Sequence, residues 1–143
     1  MNKKYKIGYT SGVFDMFHVG HLNIIKKAKE QCEYLIVGVS TDELVMEYKS
    51  KSPIINYEDR KIIVESLKYV DKVVPQIHRD KIKTYDELRF DVMFVGDDWK
   101  GSETFENVDK YMRQFGACVE YIPYTKDISS TILKDVLQKI YGE

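Results

Sequence analysis

The sequence predicts an α/β domain built on a five-stranded parallel sheet with helices on both faces. Three observations predict it. Short apolar runs rich in Val, Ile, Tyr and Phe recur five times. Stretches with helical spacing of apolar residues separate them. The strands read as unbroken apolar runs rather than alternating ones, as expected where both faces of a sheet are covered.

In order, Ile7–Thr10 is the first strand, and Tyr34–Ser40, Lys72–Pro75, Asp91–Gly96 and Cys118–Pro123 are the other four. His21–Gln31 is helical, with apolar positions at Leu22, Ile24, Ile25 and Ala28. Tyr57–Lys68 is the next helix, its apolar positions Ile62, Ile63, Val64 and Leu67. Asp80–Leu88, Phe105–Phe115 and Ser129–Tyr141 complete the set; Gly116 stands where a left-handed C-cap belongs, and Ser129, Ser130 and Thr131 are good N-caps. The three prolines, Pro53, Pro75 and Pro123, fall at strand ends or in loops. With no repeat and no Pro/Gly/Ser-rich linker, residues 1–143 form a single domain of the Rossmann-like type.

Composition excludes several functions. There are 22 Lys+Arg against 23 Asp+Glu, a net charge of −1, which argues against a general nucleic-acid binder. A local cluster of cations around one anionic ligand is still allowed. Cys32 and Cys118 are too few and too far apart for a disulfide framework, so a reducing cytoplasm is expected. The longest apolar run, Tyr34–Val37, is too short to cross a membrane. The basic start, Met1–Lys6, is followed by no apolar core of a signal peptide.

Sheets of this kind bind ligands at the carboxyl ends of their strands, where the strand order reverses. If the first strand is central, Ser11–His21 and Gly96–Gly101 line one crevice. The first of these runs from a strand end into a helix N-terminus, which presents unpaired N–H groups and partial positive charge to an anion. Gly12 and Gly20 let backbone approach phosphate closely. His18 and His21, three apart, share one side of the first helical turn and suit a phosphate whose charge grows as a bond breaks. Capping or core histidines are the plainer alternative. A zinc pair is another, but no nearby Cys, Asp or Glu completes a metal site. Asp15 on the same turn either ligates or, more simply, fixes the loop.

The pattern His18-Val19-Gly20-His21 behind Gly12-Val13-Phe14-Asp15 resembles the HxGH signature of the nucleotidyltransferase superfamily. Val95-Gly96-Asp97-Asp98-Trp99-Lys100-Gly101 resembles the GDDWEG segment of the glycerol-3-phosphate cytidylyltransferases, and Ile128-Ser129-Ser130-Thr131 the end of that family's RTEGISTT motif. Ser40-Thr41-Asp42-Glu43, Tyr57-Glu58-Asp59-Arg60-Lys61 and Tyr69-Val70-Asp71 follow in family order, so the likeness spans nearly the whole chain.

The resemblance implies transfer of CMP from CTP, with Mg²⁺, to a small phosphorylated alcohol such as glycerol 3-phosphate. Pyrophosphate would leave and CDP-glycerol would feed wall or capsular polymer synthesis. His18 and His21 would be catalytic. Val13, Phe14, Gly20, Lys51, Asp97, Asp98, Thr125, Ser129, Ser130 and Thr131 would join them on the nucleotide. Lys49, Lys81 and Arg60 would hold the acceptor, with Lys49 and Lys51 in a loop Tyr48–Asn56. The alternative for Arg60 is a surface ion pair with Glu58 or Glu65; for Trp99, burial in the core. His78 reads as a surface residue in a charged loop. A homodimer with Tyr69–Asp71 near its interface is also implied.

Departures exist. Tyr124-Thr125-Lys126-Asp127 replaces the family's Arg-Thr-Glu-Gly, so Lys126 brings a cation without the bidentate fork of arginine. Lys68 stands where the family has arginine, and an insert around Val108–Phe115 lengthens the segment before the last strand. Two other functions fit the same motif: an adenylyltransferase using ATP and FMN, and a nucleotide-sensing module without catalysis. Retention of both histidines speaks against the second, because binding alone needs one good donor set.

Overall fold

The computed structural model describes residues 3–123 and the helical backbone of 130–141. In chain order the elements are β1 (Tyr5–Gly12), α1 (Val19–Gln31), β2 (Cys32–Ser40), α2 (Asp42–Lys49), α3 (Tyr57–Glu65), β3 (Lys72–Gln76), α4 (Lys81–Leu88), β4 (Val92–Gly96), α5 (Glu103–Arg113), β5 (Cys118–Ile122) and α6 (Ser130–Tyr141). A 3₁₀ turn, Asp97–Trp99, follows β4.

All pairings are parallel, in the order β3-β2-β1-β4-β5, so β1 is central and the order reverses between β1 and β4. Alternation along the strands divides the core into two layers. Leu35, Val37, Val39, Val92, Phe94 and Ile122 pack with Ile25 and Ala28 of α1 and Val64 of α3. Tyr9, Ile36, Met93 and Val119 face the other way, against Tyr85 of α4 and Phe105, Val108 and Met112 of α5. The strands lie so close that a Cβ on Gly8 would come within 2.6 Å of the Phe94 ring and 2.8 Å of the Cys32 sulfur.

Three local features differ from expectation. β1 begins at Tyr5, because backbone pairing with β2 extends beyond the apolar run. α2 occupies a stretch with no expected element: Thr41 accepts from the Leu44 N–H at 3.2 Å as N-cap, and Leu44 and Val45 are buried. Lys49 therefore ends a helix rather than sitting in a loop. In α3 the buried positions are Arg60 and Val64, while Ile62 and Ile63 are 55% and 38% exposed. Gly116 adopts the expected left-handed conformation, φ +84. Cys32 is buried and Cys118 partly so, and both are free thiols.

Candidate nucleotide-transfer site at the switch point

The carboxyl ends of β1 and β4 lie side by side, joined by the Thr10 hydroxyl donating to the Phe94 carbonyl at 3.0 Å. The chain after β1 makes a tight loop in which Phe14 (φ 56) and Met16 (φ 49) are both left-handed. Each such non-glycine residue costs on the order of 1–3 kcal/mol, so something must hold the loop in place. Two clamps do. Between the strained residues, Asp15 is buried and accepts from the Ile54 and Ile55 N–H groups at 2.8 and 2.9 Å. Arg60 donates to the Val13 carbonyl at 2.7 Å. Phe14 buries its ring in the core.

Arg60 is 1% exposed. Its guanidinium also donates to the Ser40 carbonyl at 2.7 Å, the Ile55 carbonyl at 2.8 Å and the Asp42 carboxylate at 2.6 Å. The guanidinium expected on the acceptor is turned into the protein, and it is not a surface partner of Glu58 or Glu65. With its donors committed to the ends of β1 and β2 and to the α2–α3 connection, it positions the loop after β1 from behind. Its counter-ion is Asp42, a pairing that no pattern in the sequence marks.

The loop ends at α1. His18 is the N-cap, its Nδ1 accepting from the Gly20 N–H at 3.0 Å, while the His18 N–H donates to Nδ1 of His21 at 3.2 Å. This is a capping box made of two imidazoles. The plainer reading of the histidines as caps is thus correct, and it is compatible with the chemical one. Because each Nδ1 accepts a backbone N–H, each neutral ring carries its proton on Nε2. The two rings stack with centroids 3.9 Å apart and planes 25° off parallel. His18 Nε2 is shielded from solvent and has no hydrogen-bond partner among the described residues. Burial, then the neighbouring His18, pushes the His21 imidazole down to about 4 against the opposing pull of Asp15; burial also lowers His18. At neutral pH the pair therefore presents uncharged N–H donors. No acidic residue occupies the first turn of α1, which leaves its positive end uncompensated.

Other expected residues gather at the same sheet edge. Lys81, opening α4, donates from Nζ to the Ser11 hydroxyl at 3.2 Å, at the end of β1. Burial, and secondarily Arg79, holds its ammonium down to about 8. Lys49 places Nζ 5.8 Å from the Tyr48 ring. Lys51 is exposed, three residues before Ile54 and its bond to Asp15. Asp97 and Asp98 are exposed in the turn after β4, beside β1. Trp99 is 49% exposed and meets Phe105 edge-on at 5.5 Å, so it is not a core residue. Among the described residues no group of three His, Cys, Asp or Glu side chains could hold a metal ion. Thr125 and Ser129, with Tyr124 and Lys126, lie outside the described residues; Ser130 and Thr131 open the backbone of α6.

Residues 9–136 match the family described as cytidylyltransferase-like. The chain belongs to the cytidylyltransferase-like family. It is therefore a nucleotidyltransferase. A glycerol-3-phosphate cytidylyltransferase of Bacillus spizizenii is 39% identical over 126 residues, 87% of this chain and 92% of the relative. An ethanolamine-phosphate cytidylyltransferase of Dictyostelium discoideum is 38% identical over 140 residues, 92% of this chain but 38% of the relative. Among solved structures, the lipopolysaccharide core biosynthesis protein of Thermoplasma volcanium aligns with TM-score 0.69 and 27% identity, covering 87% of this chain and 99% of that one. Among the described residues no helix of this cytidylyltransferase-like chain is long and apolar enough to cross a membrane.

Proposed function

We propose that this protein transfers CMP from CTP to glycerol 3-phosphate or a closely similar phosphoalcohol. One observation carries the reading: two stacked imidazoles, fixed as Nε2–H donors by their own capping box, over an acid-free helix N-terminus at the switch point. Similarity to a glycerol-3-phosphate cytidylyltransferase over most of both chains supports the acceptor.

The reaction needs positioning and charge stabilisation more than covalent help. An acceptor phosphate oxygen attacks the α-phosphorus of CTP, and the bond to the β-phosphate oxygen breaks. His18 and His21 donate to the phosphate oxygens on which charge accumulates. The backbone of Val13, Phe14 and Gly20 sits against the nucleotide with Thr125, Lys51 neutralises its phosphates, and Ser129, Ser130 and Thr131 take the β- and γ-phosphates. Asp97 or Asp98 accepts from the cytosine amine, which selects C over U. Lys49 and Lys81 receive the acceptor phosphate.

Mg²⁺ would arrive on the triphosphate and neutralise its oxygens. The described residues suit an ion that keeps most of its waters and takes at most a carboxylate of Asp97 or Asp98. The same reading places the enzyme in the cytoplasm as a single domain and a homodimer. Tyr69 and Val70 pack on the core, and the Asp71 carboxylate accepts from the Leu35 N–H at 2.7 Å and from Lys29 at 2.6 Å. The exposed Ile62 and Ile63 on α3 are the better candidates for apolar surface that a second copy would cover.

Pyrophosphate release tests the proposal. With CTP and glycerol 3-phosphate the protein should release pyrophosphate and form CDP-glycerol; release from ATP with FMN, or no turnover with any phosphoalcohol, would refute it.

A further inference from the structure

Arg79 has no part in the site as built so far. It lies between β3 and α4, at the carboxyl edge of the sheet, with its guanidinium 4.3 Å from the centre of the Tyr48 ring. Tyr48, on the last turn of α2, is half-buried. The same ring carries the Lys49 ammonium. Two residues beyond Arg79, Lys81 reaches Ser11 at the end of β1, and Arg79 is close enough to weigh on its titration. Two cations, Arg79 and Lys49, therefore meet one aromatic ring, and a third, Lys81, stands close by at the end of β1.

Their partners are as telling as their positions. Among the described residues neither Arg79 nor Lys81 forms an ion pair. The acid between them, Asp80, is turned away to cap α4, accepting from the Lys83 N–H at 3.0 Å. Stacking on Tyr48 favours an arginine there through cation–π attraction and holds its planar fork in one orientation. A preoriented fork next to a second, partly buried cation matches a phosphomonoester dianion: two oxygens engage the guanidinium and a third is left to react.

We propose that Arg79, stacked on Tyr48, binds the acceptor phosphate together with Lys81 and selects acceptors whose only charge is that phosphate. The inference rests on the phosphoalcohol reading above. The selection follows from net charge. A glycerol phosphate brings about two negative charges into the crevice, whereas phosphoethanolamine adds an ammonium that the same cations repel. Each cation at the site widens the preference, and Arg79 supplies one that neither Lys49 nor Lys81 can replace in geometry.

The test is steady-state kinetics of the full chain at saturating CTP, with glycerol 3-phosphate and phosphoethanolamine as alternative acceptors. Arg79→Ala should raise KM for glycerol 3-phosphate about 10–100-fold, the loss expected for hydrogen bonds to a charged group. KM for CTP should stay within about twofold. The ratio of kcat/KM for glycerol 3-phosphate over phosphoethanolamine should fall at least about fivefold. Arg79→Lys should restore most of that ratio, which depends on charge, and only part of the KM, which depends on the fork. An unchanged acceptor KM, or an unchanged ratio between acceptors, overturns the inference while wild-type turnover leaves the phosphoalcohol reading intact. Wild-type protein that turns over neither acceptor would remove both.

Discussion

The guanidinium of Arg60 donates to the carbonyl of Val13 at 2.7 Å, across 47 residues of chain. The contact joins a helix on one side of the crevice to the strained loop that leads to His18. Because Arg60 simultaneously holds Ser40, Ile55 and Asp42, it ties the ends of β1 and β2, the start of α2 and the α2–α3 connection to one buried charge.

Arg60→Ala would leave those carbonyls and the Asp42 carboxylate without their partner. Breaking one side of a buried pair typically costs about 3–5 kcal/mol, and the 38% exposure of Asp42 places this case at the low end. Arg60→Lys keeps the charge but cannot address Val13, Ser40 and Ile55 at once. Urea unfolding should show a loss of about 2 kcal/mol or more for both variants. KM for CTP should rise in Arg60→Lys, as the Val13–Phe14 backbone shifts. Wild-type stability in either variant would mean that the clamp is redundant.

Arg60 also marks where sequence reading stops. The five parallel strands follow from the apolar runs, and the meeting of the two loops follows from the binding rule for such sheets once β1 is central; the strand order itself is seen only in the structure. The pairing of His18 with His21 follows from their spacing. Hydropathy puts Ile62 and Ile63 on the inner face of α3, because both outrank arginine on any scale. Yet Tyr57, Arg60 and Val64 share helical spacing and form the true inner face, an arginine holding a core position. α2 carries a helix-start signal in Thr41-Asp42-Glu43, but its apolar stretch of three residues is too short to show a helical period. The Tyr48–Arg79 contact joins two segments remote in sequence, and no local pattern announces it.

The histidine capping box allows structure and chemistry to be separated. Asn at position 18 can cap α1 with its side-chain oxygen in place of Nδ1, but it has no equivalent of Nε2–H. His18→Asn should therefore stay within about 0.5 kcal/mol of wild-type stability while kcat falls about 10²-fold or more. His21→Ala should lower kcat by about 10²–10³, with KM for CTP changed far less. A His21→Ala enzyme that keeps more than about a tenth of wild-type kcat would take that imidazole out of the reaction.

Lys81 gives the acceptor step a pH dependence. Burial beside Arg79 holds its ammonium down to about 8, so the cation is present below that pH and is lost above it. The profile of kcat/KM for the acceptor reports the free enzyme, and should decline above about pH 8. In Lys81→Arg the charge persists through this range and the decline should disappear. A decline that survives the substitution would have to come from another group.

His21 gives the fold an acid limit. Its folded value of about 4 lies below the ordinary 6.5, so the native state holds the ring neutral where the unfolded chain already binds a proton. Between those two values the unfolded state carries more protons, and stability must fall as the pH is lowered. The contribution is fully present above about pH 6.5 and is lost progressively down to about pH 4. Because protonating Nδ1 would also break its bond with the His18 N–H, the loss should appear together with fraying of the first turn of α1. NMR titration of the imidazole carbons should place the His21 midpoint well below that of a solvated histidine. Urea unfolding should show a smaller fall in stability from pH 7 to 5 for His21→Asn than for wild type. Equal falls in the two proteins would show that the buried ring is not what limits the fold in acid.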